Sequence, residues 1–281
     1  MKSLQSKTVV ITGAGSGIGR ALAVRCAQDN AALALIDKDP DGLEQTMRLL
    51  NGKVKAASYT VDISDNNQVT AVSEKIRETF QTVDVLVNNA GVSTSGTAFN
   101  VRCATLEWAL SVNLWGTVYM TKAFLPLLLQ RPEASVVNVS SVYGLLGIPG
   151  QIAYCTGKFA VRGFTEALRL DCHGTAVRVT LVFPGGIKTN IAKNSRTDYS
   201  FSEAEYRRKI EQFEKTLHTT PQAAAEKMYK GILKGSPRVL IGKDSRQIDL
   251  LARLNPSRYD SAIIRAFRKL QGSDKAITGS S

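Results

Sequence analysis

The chain has 281 residues, is 43% hydrophobic and 21% charged, and carries a net charge of +12. That length and balance suit one large globular domain with a substantial core, and no apolar run reaches the roughly eighteen residues that a membrane span needs. Four cysteines (Cys26, Cys103, Cys155 and Cys172) lie far apart without CxxC spacing, and His173 and His218 are the only histidines. This argues against a metal site and for reduced thiols in a cytoplasm.

From the N-terminus, "MKSLQSKTVVITG" enters a strand with no secretory h-region ahead of it. Strand-like runs then recur: "KTVVIT" (7–12), "AALALID" (31–37), "KAASYTVD" (55–62), "VDVLVNN" (83–89), "SVVNVSS" (135–141), "VRVTLVFPG" (177–185) and "RVLIG" (238–242). Several are apolar nearly throughout, as strands buried on both faces are. Between them, stretches such as "IGRALAVRCAQD" and "DNNQVTAVSEKIRETF" repeat apolar residues at helical spacing. The alternation predicts an α/β chain: a doubly wound parallel sheet of about seven strands with helices on both faces. Two regions break the rhythm. From Thr189 to about Lys234 the chain reads as helical and polar with no strand, which predicts a lid at about 190–234. After "RVLIG", residues 244–271 read as amphipathic helices split at Pro256, and "GSDKAITGSS" (272–281) as disordered. The whole, residues 1–281, is expected to form a single domain.

"GAGSGIG" (13–19) sits between a strand and a helix. Glycines there allow a tight turn and close approach of a pyrophosphate, while the helix start offers unpaired N–H groups and a positive dipole end. Gly13, Gly17 and Gly19 would carry that role, in the spacing G-x-x-x-G-x-G. Asp37, at the end of the next strand, would accept hydrogen bonds from adenosine ribose hydroxyls and repel a 2′-phosphate, favouring NAD. Lys38 beside it would instead welcome NADP; both stay open, with NAD preferred. Tyr154 and Lys158, in "AYCTGK", share one face if "GQIAYCTGKFAVRGFTEALRL" is a helix. A phenol is a poor base near neutral pH, and a neighbouring ammonium lowers its pKa. Ser140 and Ser141, and "NNAG" (88–91), fall at strand ends on the carboxyl edge, where open α/β sheets hold ligands.

The set "TGAGSGIG" (12–19), "NNAG" (88–91), "NLWG" (113–116), "VSS" (139–141), "YCTGK" (154–158) and "PGGIKT" (184–189) resembles the short-chain dehydrogenase/reductase family, in its order and at its separations from about Lys7 to Thr189. The resemblance implies a Rossmann-type fold and an NAD(P)-dependent oxidoreductase acting on CH–OH donors. In it, Tyr154 would be the general acid/base, Lys158 would lower its pKa and hold the nicotinamide ribose, and Ser141 would bind the substrate oxygen, with Ser140 a structural neighbour. Asn113 would kink its helix and anchor a water linking Lys158 to solvent. Asp62 would contact the adenine amino group with Ile63 beside it. Ser16, Ile18, Asn89, Ala90, Gly91, Pro184, Gly185, Ile187 and Thr189 would line the dinucleotide. A homodimer or homotetramer is also implied.

The substrate is less defined. Tyr199, Phe201, Tyr206 and Phe213 in the lid, with Leu145, Ile148 and Gln151, are candidate walls for a bulky, apolar secondary alcohol or ketone; the same aromatics equally suit packing of the lid itself. From Lys188 to Lys275 there are 19 Lys or Arg against 10 Asp or Glu. Solvated helix faces account for this better than nucleic acid, since "YRRKIEQFEK" interleaves both signs and no nucleic-acid-reading motif is present. The tail offers Ile248, Leu251, Leu254, Ile263, Ile264, Phe267 and Leu270, flanked by Arg253, Arg258, Arg265, Arg268 and Lys269. Covering the substrate entrance or packing on a partner subunit is preferred to a membrane surface. Two other functions stay open: an NADPH-dependent 3-oxoacyl reductase served by an acidic carrier, against which Asp37 counts, and a non-catalytic dinucleotide sensor, against which the retained Tyr154 and Lys158 count.

Overall fold

A computed structural model describes residues 1–199 and 202–271. In chain order the elements are β1 (Thr8–Thr12), α1 (Gly17–Ala27), β2 (Ala32–Asp37), α2 (Pro40–Leu50), β3 (Ala56–Thr60), α3 (Asn66–Phe80), β4 (Val85–Asn88), β5 (Thr94–Ser95), α4 (Cys103–Leu110), a π-helical turn (Ser111–Trp115), α5 (Gly116–Leu129), β6 (Ala134–Val139), a 3₁₀ turn (Val142–Gly144), α6 (Ile152–Asp171), β7 (Val177–Pro184), β8 (Arg196–Thr197), α7 (Glu203–Glu214), α8 (Pro221–Lys234), β9 (Arg238–Ile241), α9 (Lys243–Leu254) and α10 (Tyr259–Gln271). Seven strands form one parallel sheet in the order β3-β2-β1-β4-β6-β7-β9. The order reverses beside β1, so the crevice between the carboxyl ends of β1 and β4 is the switch point of the winding.

Period-two alternation distributes the strand side chains to the two faces. Val9, Ile11, Leu33 and Leu35 enter one core with Leu22 and Cys26 of α1 and Met228 and Ile232 of α8. Val10, Ala34 and Ile36 enter the other, with Val72 and Ile76 of α3, Phe124 of α5 and Leu168 of α6. All seven strands read from the sequence are present. Only β3, at the sheet's edge, is half-exposed along its length.

The stretch read as a lid divides in two. Residues 196–197 form a short strand, β8, that pairs in parallel with β5, and α7 follows. The second half, α8, is not placed as a lid. Its Ala224, Ala225, Met228, Tyr229 and Ile232 are buried against the sheet and α1. Lys230 and Lys234 are exposed, with Glu226 and Lys227 half-buried beside them, which is why the segment reads as polar. Arg25 clamps the pair of helices: its Nε lies 2.7 Å from Glu226, its guanidinium stacks 3.6 Å from the Tyr229 ring centroid, and the Tyr229 hydroxyl donates to Asp29. The tail forms two helices that break around Pro256, as the sequence predicts. Phe201, residues 272–281 and the side chains of Phe267, Arg268, Lys269 and Leu270 lie outside what is described. No described helix is long and apolar enough to cross a membrane.

Candidate active site

The glycine turn joins β1 to α1 at the switch point. Gly13 and Gly17 hold φ of +66° and +52°, a region where a side chain is strained. A Cβ at Gly19 would overlap the Gly13 carbonyl oxygen, and one at Gly17 would stand 3.1 Å from Cγ2 of Thr189. The turn is therefore bare where the "PGGIKT" loop faces it. Ser16 caps α1 with an exposed side chain that makes no capping bond, and Ile18 is half-buried behind it. This concave backbone with free helix-start N–H groups fits a dinucleotide pyrophosphate.

Neighbouring strand ends tie the turn down. The Thr12 hydroxyl oxygen accepts from the backbone N–H groups of Asn89 and Ala90, each at 3.0 Å. Asn89 Nδ2 donates to the carbonyls of Thr12 at 3.0 Å and Gly13 at 3.3 Å. Asp37 lies beside the turn, its Oδ2 accepting from Gly15 N at 2.8 Å and its Oδ1 from Asp39 N at 3.1 Å. Those bonds aim the carboxylate along the edge, while Lys38 points into solvent as an exposed residue. Asp62 Oδ1 accepts from the amide and hydroxyl of Ser64. Ile63 is buried against Gly116, where a Cβ would stand 2.5 Å from Ile63 Cδ1.

The polar groups of the second cluster come from four elements. Asn113 sits in the π-helical turn between α4 and α5, which interrupts an otherwise continuous helix. Its Oδ1 accepts from Val92 N and its Nδ2 donates to Val92 O, both at 3.0 Å. Both ends of the amide thus hold the chain just after "NNAG". Lys158, on α6, is buried, and its Nζ donates to the Val139 carbonyl at 3.1 Å. Gly91 lies between the two: a Cβ there would stand 2.8 Å from Asn113 Oδ1 and 3.1 Å from Lys158 Nζ. Ser140 is buried and donates to the Lys158 carbonyl at 2.8 Å, a staple between β6 and α6. Ser141 is turned the other way. Its Oγ accepts from Tyr143 N at 3.2 Å, and its hydroxyl favours the ionised form of the Tyr154 phenol. The Tyr143 ring meets that of Tyr154 edge-on at 5.7 Å.

Burial dominates the electrostatics of the two titrating groups. It pushes the Tyr154 phenol above its ordinary value, and Ser141 only partly opposes this. Lys158 Nζ lies 5.7 Å from the phenol ring centroid and is committed to Val139. Burial lowers Lys158 itself to about 8. Desolvation is the largest cause of the shift at both groups.

The "PGGIKT" loop closes the edge. Gly185 N donates to Ile241 O at 2.8 Å and Gly186 N to the Asp244 carboxylate at 2.6 Å. That carboxylate fills the space that a Cβ on Gly185 or Gly242 would need. Ile187 is buried in the core beyond Pro184. Asp244 was missed in the sequence because it follows "RVLIG" in a basic tail, 58 residues from the Gly186 amide that it accepts from. Arg20 was missed too: it donates to the carbonyls of Gly15 and Gly42 and to Thr46 Oγ1, pinning the glycine turn to α2.

The candidate substrate walls do not gather as one surface. Leu145 is buried with Leu181 and Phe183 in a small core cluster. Tyr206 donates to the Ser195 carbonyl within the same segment. Phe213, on α7, is exposed, and Gln151 Oε1 is buried without a partner among the described residues. The Tyr199 hydroxyl closes over Gly150. Ile148 instead lines a cavity of about 640 Å³ with Phe99, Ile152, Phe159, Tyr259 and Ile263. Ile152 and Phe159 lie on the face of α6 turned away from Tyr154 and Lys158.

Comparison with known proteins agrees with this arrangement. Residues 7–200 match the family model described as short chain dehydrogenase. The chain is 40% identical to the putative oxidoreductase SadH of Mycobacterium tuberculosis, over 96% of this chain and 98% of that one. It is 31% identical to estradiol 17-beta-dehydrogenase 11 of Mus musculus, over 92% of this chain and 83% of that one. A solved short-chain dehydrogenase/reductase from Burkholderia phymatum, in complex with NAD, superposes with a TM-score of 0.81 at 27% identity, covering 98% of this chain and 99% of that one. With the glycine turn, the Ser141–Tyr154 contact and the buried Lys158 all at one sheet edge, the chain belongs to the short-chain dehydrogenase/reductase family, oxidoreductases acting on CH–OH donors.

Proposed function

We propose that the protein interconverts a bulky, apolar secondary alcohol and its ketone, using NAD in preference to NADP. The observation that carries this reading is that Ser141 acts on the Tyr154 phenol, with the buried Lys158 ammonium one helical turn further on. When bound, the dinucleotide supplies or accepts the hydride. Gly13, Gly17, Gly19 and Ser16 would hold its pyrophosphate, Asp37 its adenosine ribose, Asp62 and Ile63 its adenine. Ile18, Asn89, Ala90, Gly91, Pro184, Gly185, Ile187 and Thr189 would line the remainder. Asp37 supports NAD because its carboxylate is already fixed at the ribose end of the turn, whereas Lys38 is free to turn away.

Ser141 donates to the substrate oxygen, and Tyr154 exchanges a proton with it. Lys158, cationic at neutral pH with a value of about 8, binds the nicotinamide ribose and, with Asn113 behind it, fixes the charge facing that oxygen. Burial keeps the Tyr154 phenol protonated, which suits its role as the acid in carbonyl reduction. Alcohol oxidation needs the phenolate and therefore a further positive charge at the site. The 31%-identical relative named for estradiol supports a bulky, apolar substrate. The exposed Trp115 and Phe159, on the long helices flanking the site, support subunit contacts in a homodimer or homotetramer. A cytoplasmic setting is part of the same reading.

Tyr154→Phe tests it. Turnover of an apolar ketone with NADH is expected to fall by about 10²–10⁴-fold, with dinucleotide affinity by fluorescence titration nearly unchanged. Full retention of rate removes Tyr154 as the proton carrier.

A further inference from the structure

The two tail helices have different surroundings. α10 covers the apolar cavity beside residues 147–150, its Tyr259 hydroxyl accepting from Gly147 N at 3.4 Å. α9 buries one face: Ser245 donates to the Phe183 carbonyl at 2.8 Å, and Asp249 is buried between Arg238 and Arg253. Its opposite face carries Lys243, Arg246, Gln247, Leu250, Arg253 and Leu254 at helical spacing, all exposed. Leu250 and Leu254 are 57% and 77% exposed. The strip holds three cations and no acid. Arg253 alone has an ion pair, to Asp249, and among the described residues no acid pairs with Lys243 or Arg246. Exposed Pro256 and Arg258 prolong it past the helix end. Behind it, Lys227 is held below its usual value by burial and by the charge of Arg246, so the cations here are crowded.

We propose that the outer face of α9 docks on an anionic phospholipid surface, with Leu250 and Leu254 entering the headgroup–acyl boundary and Lys243, Arg246 and Arg253 at the phosphates. Charge selects this occupant. An acid-free basic strip around two bare leucines on a chain of net charge +12 complements a negative interface and repels a second copy of itself. α9 begins at the carboxyl edge, through Asp244 on Gly186, so docking would set the sheet edge beside the bilayer. The inference does not rest on the catalytic reading, because its readout is binding alone.

The test is co-sedimentation of the full-length protein with vesicles of phosphatidylcholine, with and without phosphatidylserine. Wild type is expected to bind the anionic vesicles only, and raised salt to release it. Lys243→Gln with Arg246→Gln should weaken binding about fivefold per charge removed, and Leu250→Ser with Leu254→Ser about tenfold for each leucine. Unchanged nucleotide affinity shows that the variants are folded. Equal binding of wild type to neutral and anionic vesicles, or variants that bind as wild type does, overturns the proposal. So does a change of mass in sedimentation equilibrium for the leucine variant with vesicle binding intact, which would assign the strip to a subunit contact.

Discussion

Replacing Lys158 with methionine keeps an unbranched buried side chain and removes its titration. Burial lowers the ammonium from its ordinary 10.5 to about 8, which corresponds to roughly 3 kcal/mol of folding free energy. The sign follows from proton counts. Between about pH 8 and 10.5 the unfolded chain holds a proton on Lys158 that the folded chain has released, so the contribution of this residue to stability rises with pH across that window. Below pH 8 both states are protonated and the cost is constant. The lost hydrogen bond to the Val139 carbonyl adds an offset that does not vary with pH. Urea unfolding of the full-length protein, followed by circular dichroism at steps from pH 7 to 10.5, should show wild type gaining roughly 3 kcal/mol relative to Lys158→Met. All other titrating groups cancel in the difference. A difference that stays flat would mean the ammonium is hydrated, and the picture of a dry charge behind Gly91 would be wrong.

Other perturbations probe the dinucleotide edge. Asp37→Ala should narrow the preference for NADH over NADPH, read as the ratio of kcat/KM; an unchanged ratio places ribose recognition elsewhere. Gly19→Ala drives a methyl into the Gly13 carbonyl, so nucleotide affinity should fall at least tenfold, with about 1–3 kcal/mol of stability lost in urea; wild-type affinity would refute the close approach. Asp244→Ala removes the acceptor of the Gly186 N–H and should raise KM for the dinucleotide about tenfold while changing kcat much less. Asp244→Asn should restore part of the loss, and equal damage to both constants would mark a wholly structural role.

The seven strands were readable because parallel strands buried on both faces must be apolar throughout, and their ends are punctuated by Gly, Asn and Ser. The site was readable for a related reason. In this winding every strand carries its carboxyl end to one edge, so motifs such as "NNAG", "VSS" and "PGGIKT" meet there whatever joins them. What could not be read depends on long-range pairing. α8 looked like lid because it closes a polar, helical stretch in which no strand can be read, yet Met228 and Ile232 pack on α1. Two-residue strands such as β5 and β8 have too few residues to show a period.

The sequence alone determined the winding, the dinucleotide turn and the identity of the groups at the sheet edge, because backbone sterics and residue spacing act locally. Only the tertiary structure decided that desolvation raises the Tyr154 phenol and lowers Lys158, that Asp244 braces the Gly185–Gly186 turn, and that α9 leaves a basic, leucine-bearing face bare. Desolvation and surface exposure are set by which distant segments cover a side chain, and no local pattern encodes that.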